Sequence, residues 1–454
     1  MFAEKQKIHF IGIGGIGMSG IARILMSMGY GVSGSDLHAG EVTDALKKKG
    51  ATIYIGHNAS NIADNLDLVV TSSAIDEKNP EVLRARERGI VIIHRAEMLA
   101  EIMRLRYGIA ISGTHGKTTT TSLASHLLAD AGLAPTSVIG GKYFNINTNA
   151  NFGKGRYLVC EADESDGSFL MLSPVLAVVT NIDNDHMDHY GTEKALRDAF
   201  VTFINGIPFY GSAFLCFENA AVRAIVPRIT KKFYSYGFNK KYDIYASDIR
   251  HHDDGSTFHV HVKGDDLGEF TLPLLGEHNI LNALAAIGTA VFLKVKPSVI
   301  RRSLVHFAGV GRRLNQLAAG PVRVYDDYGH HPTEIKATLA ALKPTVQGKL
   351  IVVFQPHRYS RTKILFREFG RAFGDADTVI ITDIYAAGEK PVKGVNGKLI
   401  FSEVKKHAKD VHFAAKDDII PLLTRISRAG DTVLSLGAGD IYRTGERFAA
   451  LQKP

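Results

Sequence analysis

Cysteine is nearly absent from this chain. Only Cys160 and Cys216 occur in 454 residues, which excludes a disulfide framework and makes a reducing cytoplasm the expected location. Long apolar runs are missing as well. No stretch reaches the length that spans a bilayer, and the six residues before Lys7 are mixed polar. Neither a membrane anchor nor a signal peptide is therefore expected. There is no basic tail: the net charge of +8 is spread along the chain. That balance suits anionic small molecules better than a nucleic-acid partner. What remains is an ordinary globular composition, 22% charged and 45% hydrophobic, and enough length for several domains with ample core.

The chain is organised around Tyr107–Gly132, YGIAISGTHGKTTTTSLASHLLADAG. It reads as a buried strand, a tight loop from Ser112 to Gly116, then Lys117–Thr118 opening a helix that Gly132 stops. A glycine loop between a strand and a helix start aims several backbone N–H groups at one point, a phosphate cradle helped by the helix dipole. Lys117 is placed to offset the β- and γ-phosphates of ATP, and the Thr118 hydroxyl to meet Mg²⁺. The usual loop has a glycine five residues before the last one. Here that position is Ile111, and Gly113 lies three before Gly116. The motif is thus a shortened variant, G-T-H-G-K-T-T, built from Gly113, Thr114, His115, Gly116, Lys117, Thr118 and Thr119. A glycine-rich turn with a surface lysine would not need strand, Lys-Thr pair and helix to agree.

Before it stands KIHFIGIG with Gly12, Gly14, Gly15 and Gly17, then a helix apolar at Ile21, Ile24, Leu25 and Met28, and a second strand ending at Asp36. This is the spacing of a nucleotide-binding βαβ unit, whose glycine loop takes a pyrophosphate. The motif does not say which nucleotide. A further strand, Leu66–Ser73, ends in Ser72 and Ser73.

After the phosphate loop, RYLVCEADESDGSFL ends a strand in Glu161, Asp163, Glu164 and Asp166, and PVLAVVTNIDNDHMDHY ends another in Asp183, Asp185, His186, Asp188 and His189. In a parallel sheet such strand ends share a rim. Mg²⁺ needs one or two carboxylates there, with Mn²⁺ an acceptable substitute. By residue type alone His186 is a helix-capping or hydrogen-bonding residue. Asn279 and Asn282, near the start of a helix over 276–293, either read a base or ribose or cap the helix. Arg312 and Arg313 lie in a glycine-rich linker. They either reach a γ-phosphate when domains close or are solvated.

From about Asn315 strands and helices alternate, including helices expected over 361–373 and 402–409, which predicts another doubly wound sheet. Polar clusters end its strands: Asp326 to His331, His357 to Arg361, and Tyr385 to Glu389. Their arginines suit a carboxylate or phosphate.

Two anion cradles and a third α/β domain exceed what a dehydrogenase or a simple kinase needs. A ligase that activates a carboxylate with ATP needs all three. The sequence resembles the Mur ligase family of peptidoglycan synthesis. The resemblance rests on HFIGIGGIGMSGIA, GTHGKTTTT, EADESDGSFL, TNIDNDHMDHY, GEHNILNALAA, GVGRRL, DDYGHHPTE, FQPHRYSRT and DIYAAGE, which run in order over almost the whole chain. It implies three α/β domains: a Rossmann-like one over 1–106, a central ATP-binding one over 107–313, and a Rossmann-like one over 314–454.

It implies that the first domain holds the UDP of UDP-N-acetylmuramic acid, through Gly12, Gly14, Gly15, Gly17, Asp36, Ser72 and Ser73, and not NAD. Lys117, Thr118, Glu161 and His186 would surround the ATP phosphates and metal. Asn279, Asn282, Arg313 and Asp327 would serve the nucleotide. Tyr328, His330, His357, Arg358 and Arg361 would hold L-alanine and the growing product. The implied reaction joins L-alanine to the lactyl carboxylate through an acyl phosphate, with domain closure excluding water. The group that deprotonates the amine stays open between His186, His330 and a carboxylate.

Later ligases of the pathway carry a carbamylated lysine. The comparable position here is Val201, and Lys194 is poorly placed, so no carbamylation is expected, in line with the alanine-adding branch. Three rivals stand beside this reading: the tripeptide-recycling branch, a nicotinamide dehydrogenase on Gly12–Asp36, and a non-catalytic UDP-sugar binder. The partners expected are small molecules only, with no nucleic acid and no membrane, on a monomer or weak homodimer.

Overall fold

The computed structural model describes residues 6–145 and 148–452. It divides into two compact units, one of Met1–Ser247, His259–Phe270 and Leu281–Ala308, the other of Asp248–Phe258, Thr271–Ile280 and Gly309–Pro454. Three sheets carry the architecture, one for each α/β domain.

The first sheet holds β1 (Lys7–Ile11), β2 (Gly31–Asp36), β3 (Thr52–Ile55), β4 (Leu68–Thr71) and β5 (Val91–His94), all parallel, in the order β3-β2-β1-β4-β5. Its helices are α1 (Ile16–Ser27), α2 (Glu41–Lys48), α3 (Pro80–Glu87) and α4 (Arg95–Arg104). β1 is buried from Ile8 to Ile11, as a strand covered on both faces must be. α1 buries Met18, Ile21, Ile24 and Leu25 against it. The strand order reverses between β1 and β4, so the crevice that accepts ligands in such sheets opens beyond their carboxyl ends. The glycine loop follows β1, and Ser72 and Ser73 follow β4.

The second sheet is built of β6 (Tyr107–Ser112), β7 (Thr136–Tyr143), β8 (Thr148–Asn151), β9 (Tyr157–Glu161), β10 (Leu176–Val179), β11 (Ser212–Cys216), β12 (Phe233–Gly237), β13 (Ile244–His252), β14 (Gly255–Val262) and β15 (Asp265–Leu272). The order is β15-β14-β13-β12-β11-β10-β6-β9-β7-β8. β6 runs parallel between β10 and β9. That neighbourhood sends the phosphate loop and both acid-rich loops to one rim. Helices α5 (Lys117–Asp130), α6 (Met187–Tyr190), α7 (Glu193–Asn205), α8 (Ala220–Ile225), α9 (Glu277–Phe292) and α10 (Pro297–Val305) complete the domain. α5 is buried at every position from Thr118 to Leu128, so it shows no polar stripe.

The third sheet holds β16 (Asn315–Ala319), β17 (Arg323–Asp327), β18 (Leu350–Phe354), β19 (Thr378–Ile381), β20 (Val411–Phe413) and β21 (Thr432–Leu436), in the order β16-β17-β21-β18-β19-β20. Only β16 runs antiparallel to its neighbour, β17. Its helices are α11 (Pro332–Leu342), α12 (Tyr359–Gly370), α13 (Gly397–Val404), α14 (Ile419–Ile426) and α15 (Tyr442–Ala450).

Two expectations shift here. Alternation is broken by β16, which precedes β17 with no helix between. The helix expected over 402–409 is α13: it starts earlier because burial of Ile400 and Val404, four residues apart, sets its face. The lysine-rich stretch after it stays outside.

Candidate active site

The phosphate loop is shaped by two glycines. Gly113 has φ +130°, and a Cβ there would lie 2.1 Å from Thr180 Oγ1 and 3.0 Å from the Asn181 backbone. Gly116 has φ +82° and caps α5; its Cβ would lie 2.5 Å from Asn282 Oδ1. The loop is pinned to the segment after β10. The His115 N–H donates to Asn181 Oδ1 at 2.8 Å, and Thr180 Oγ1 donates to the His115 carbonyl at 2.6 Å. The Asp183 N–H donates to Thr114 Oγ1 at 2.9 Å, and His115 Nε2 lies 2.9 Å from Asp183. Thr114 and His115 therefore use their side chains to hold the loop. Asn282 accepts from Thr120 Oγ1 at 3.1 Å, tying α9 to α5 behind the loop, while the Asn279 amide turns back to the Leu275 carbonyl at 2.9 Å. Thr118 and Thr119 are buried in the first turn of α5.

Lys117 Nζ donates to the Gly113 carbonyl at 2.7 Å, and both Glu164 oxygens lie within 2.9 Å of it. Burial opposes its charge, but Glu164 and Asp163 more than offset that and raise its pKa. Glu161 closes β9 and accepts the Gly140 N–H at 2.5 Å. Burial raises its pKa against the pull of that N–H, Lys117 and the Thr118 hydroxyl. A carboxylate so desolvated beside a hydroxyl is an oxygen donor pair that a hard divalent cation fits. His186 takes the left-handed conformation (φ 60°) as the cap of α6, with Nε2 3.4 Å from Glu164. It occupies the cap position without a side-chain capping bond; its ring turns to Glu164 and Asp185 instead. Glu164, one of the four acids expected on the rim, is wholly buried and in contact with both Lys117 and His186, a partnership that the sequence does not show. Its only signal was its place in an acid-rich run.

The loop after β1 is tight. The Gly12 and Ile13 N–H groups both donate to the Ser35 carbonyl, at 2.8 and 2.9 Å. The Gly14 N–H donates to Asp36 Oδ2 at 2.8 Å, and Gly15 caps α1 with no side chain over the open N–H groups. Gly17 faces Arg95, whose Nη1 would stand 3.0 Å from a Cβ. Arg95 also pairs with Asp163 at 3.5 Å, linking the first domain to the acid rim. Beneath the loop, Ser35 Oγ donates to the fully buried Glu81, which also takes the Asn61 amide, both at 2.5 Å. That network had no signature in the sequence, because Glu81 sits in an ordinary helical run.

On the third sheet the three polar clusters do meet. The rings of Tyr328 and His330 lie 5.4 Å apart, His330 and His357 5.5 Å, and His357 stacks on Tyr385 at 5.7 Å and 8°. Arg358, the N-cap of α12, has φ +69°, a strained conformation for a side-chain-bearing residue. Burial, with Arg361 and Arg358, pushes His357 down to about 4, so its imidazole is neutral. Asp327 accepts the Gly329 and Leu314 N–H groups, both at 2.7 Å, and burial lifts it to about 6 against the pull of Arg313. Arg312 is a clamp: it pairs with Asp326 at 3.1 Å and donates to the Gly437 carbonyl at 2.5 Å. Arg313 lies over the Tyr328 ring at 5.2 Å. His278, not singled out in the sequence, is pushed down to about 4 by burial and Arg313.

These three domains define a class, and the chain belongs to the Mur ligase family. Residues 7–107 match the Mur ligase family catalytic domain, 111–290 the Mur ligase middle domain, and 312–439 the Mur ligase glutamate ligase domain. The chain is 52% identical over 456 residues to a UDP-N-acetylmuramate–L-alanine ligase of Brachyspira hyodysenteriae, covering 99% of each. It is 52% identical over 451 residues to the protein of that name in Geotalea daltonii, covering 99% of this chain and 98% of that one. Among solved structures it resembles the UDP-N-acetylmuramate-alanine ligase of Thermotoga maritima, with a TM-score of 0.82, 31% identity and 98% coverage of both chains. A murein peptide ligase of Psychrobacter arcticus shares the fold, with a TM-score of 0.72 at 23% identity and 98% coverage of both chains. Family membership sets aside the dehydrogenase reading of the first glycine loop.

Proposed function

We propose that the protein joins L-alanine to the lactyl carboxylate of UDP-N-acetylmuramic acid, using ATP and releasing ADP and phosphate, in the making of peptidoglycan precursors. The observation that carries this reading is the phosphate loop, with Lys117 at its centre and buried carboxylates on the same rim. The relatives' shared name supplies the substrates.

The domain limits of the proposal are 1–106 for the UDP substrate, 107–313 for ATP and 314–454 for the amino acid. Gly12, Gly14, Gly15 and Gly17 keep the loop bare of side chains, so that the pyrophosphate approaches the open first turn of α1, with Asp36, Ser72 and Ser73 around the UDP. Residues Gly113 to Thr119 take the ATP phosphates, with Asn279, Asn282, Arg313 and Asp327 serving the nucleotide. Thr118, Glu161 and His186 would hold Mg²⁺ or Mn²⁺, which supplies positive charge to the phosphate oxygens. The lactyl carboxylate attacks the γ-phosphorus, and its bond to the β-phosphate oxygen breaks, giving an acyl phosphate and ADP. Lys117 offsets the charge on the oxygens in flight. Arg358 and Arg361 fork onto the alanine carboxylate beside Tyr328, His330 and the neutral His357. The free amine attacks the acyl carbon, and phosphate leaves from the tetrahedral intermediate. Val201 is buried in α7, and Lys194 pairs with Asp198 on its exposed side, which supports a site without carbamylated lysine. The remaining parts of the proposal are a cytoplasmic location, small-molecule partners only, and a monomer or weak homodimer.

Phosphate release from ATP, followed with Mg²⁺ and UDP-N-acetylmuramic acid, tests this. Release should depend on L-alanine and vanish in Lys117→Ala. Release with the tripeptide and not with L-alanine would move the protein to the recycling branch.

A further inference from the structure

The charge of Lys117 is neutralised within the chain itself. Its ammonium donates to the Gly113 and Thr114 carbonyls at 2.7 and 3.3 Å, and to both oxygens of Glu164 at 2.9 and 2.8 Å. Glu164 has no exposed surface and Lys117 little, so water screens the pair weakly. The remaining charge nearby is mostly negative. Asp163 pairs with Arg95 at 3.5 Å, and Glu161, at the end of the adjacent strand, shares the field of Lys117 with Glu164 and Asp163. Glu161, Asp163, Glu164, Asp183 and Asp185 thus outnumber Lys117 and Arg95 around the point where the phosphate loop delivers a nucleotide. A polyphosphate alone brings more negative charge into that balance. A polyphosphate carrying a divalent cation corrects it.

We infer that Glu164 is a positioning residue that cancels the charge of Lys117, so that the loop accepts nucleotide with its divalent cation and rejects metal-free nucleotide. The inference rests on the ATP reading of the loop. It also explains why a buried glutamate lies within 3.4 Å of His186 Nε2. One carboxylate holds both Lys117 and His186 at the rim until metal and phosphate arrive together. Without Glu164, Lys117 would present its charge openly, and the loop would bind phosphate without regard to metal.

The test is ADP affinity by titration calorimetry, at fixed ionic strength, in Mg²⁺ and in EDTA. Binding of ADP involves no turnover. The wild type should bind far more weakly in EDTA than in Mg²⁺. Glu164→Gln should strengthen binding in EDTA on the order of tenfold and so narrow the gap. Glu164→Asp, which keeps the charge, should preserve it. Glu164→Ala repeats the neutral arm if the glutamine variant does not fold. A gap unchanged in whichever neutral variant retains the wild-type thermal transition overturns the inference, as does loss of both neutral folds with an aspartate variant that binds metal-free ADP tightly. A wild type that binds no ADP even with Mg²⁺ sinks instead the ATP reading beneath it.

Discussion

Gly113 bears no side chain because there is no room for one. A Cβ would stand 2.1 Å from Thr180 Oγ1, and φ of +130° strains any other residue. Gly113→Ala should therefore push the loop off the segment after β10. Activity should fall by about a hundredfold or more, since small displacements of a phosphate site are costly, while UDP-substrate binding by the first domain is retained. Full activity in that variant would contradict the geometry. His357 allows a pH prediction. Its folded pKa, about 4, lies below the ordinary value of 6.5. The stability it contributes is thus fully present above about pH 6.5 and lost as pH falls through about 4, up to about 3 kcal/mol. His357→Gln should lose less stability than the wild type between pH 7 and 4 in thermal scans. Parallel curves would refute the buried neutral ring. Asp327, raised to about 6, acts with the opposite sign, its contribution lost as pH rises through that value. At this scale the sequence showed residue types in motifs. It did not show that Glu164 is the partner of Lys117, because partnership depends on how β9 and β6 lie side by side.

Whole elements were legible where an apolar run and a glycine agreed, as in β1 with α1 and in β6 with α5. They were hidden where the signals conflict or are missing. β8, TNAN, is polar, and in β7, TSVIGGKY, two glycines follow the buried Val138 and Ile139; α1 packs over both strands. Gly20 in α1 is the point of contact: a Cβ there would lie 3.3 Å from Ala150 Cβ and 3.7 Å from Val138 Cγ1. Gly20→Leu should overpack this seam and lower stability by about 1–3 kcal/mol, read as a drop in the thermal midpoint. An unchanged midpoint would show that the seam is loose. α13 was displaced in the sequence reading for a related reason: its charged tail mimics a helix, but burial of Ile400 and Val404 decides where the helix lies. β16 gave no strand pattern, being an edge strand with one buried residue, Ala318.

For the molecule as a whole, three alternating α/β patterns predicted three sheets, and each sheet is there. The rule that ligands meet strand carboxyl ends then located each cluster of polar residues before any contact was known. Contacts themselves came only from strand order, which periodicity does not encode. The excess of positive charge, +8, suits a protein whose proposed substrates are nucleotides and a carboxylate. The central claim is that the carboxylate of the UDP-linked acid takes a phosphoryl group from ATP. The direct measurement uses UDP-N-acetylmuramic acid labelled with ¹⁸O in its lactyl carboxylate, with ATP, Mg²⁺ and L-alanine. An acyl phosphate requires one labelled oxygen to leave with the released phosphate, which mass spectrometry reads. Phosphate released without label while the amide forms would contradict the account.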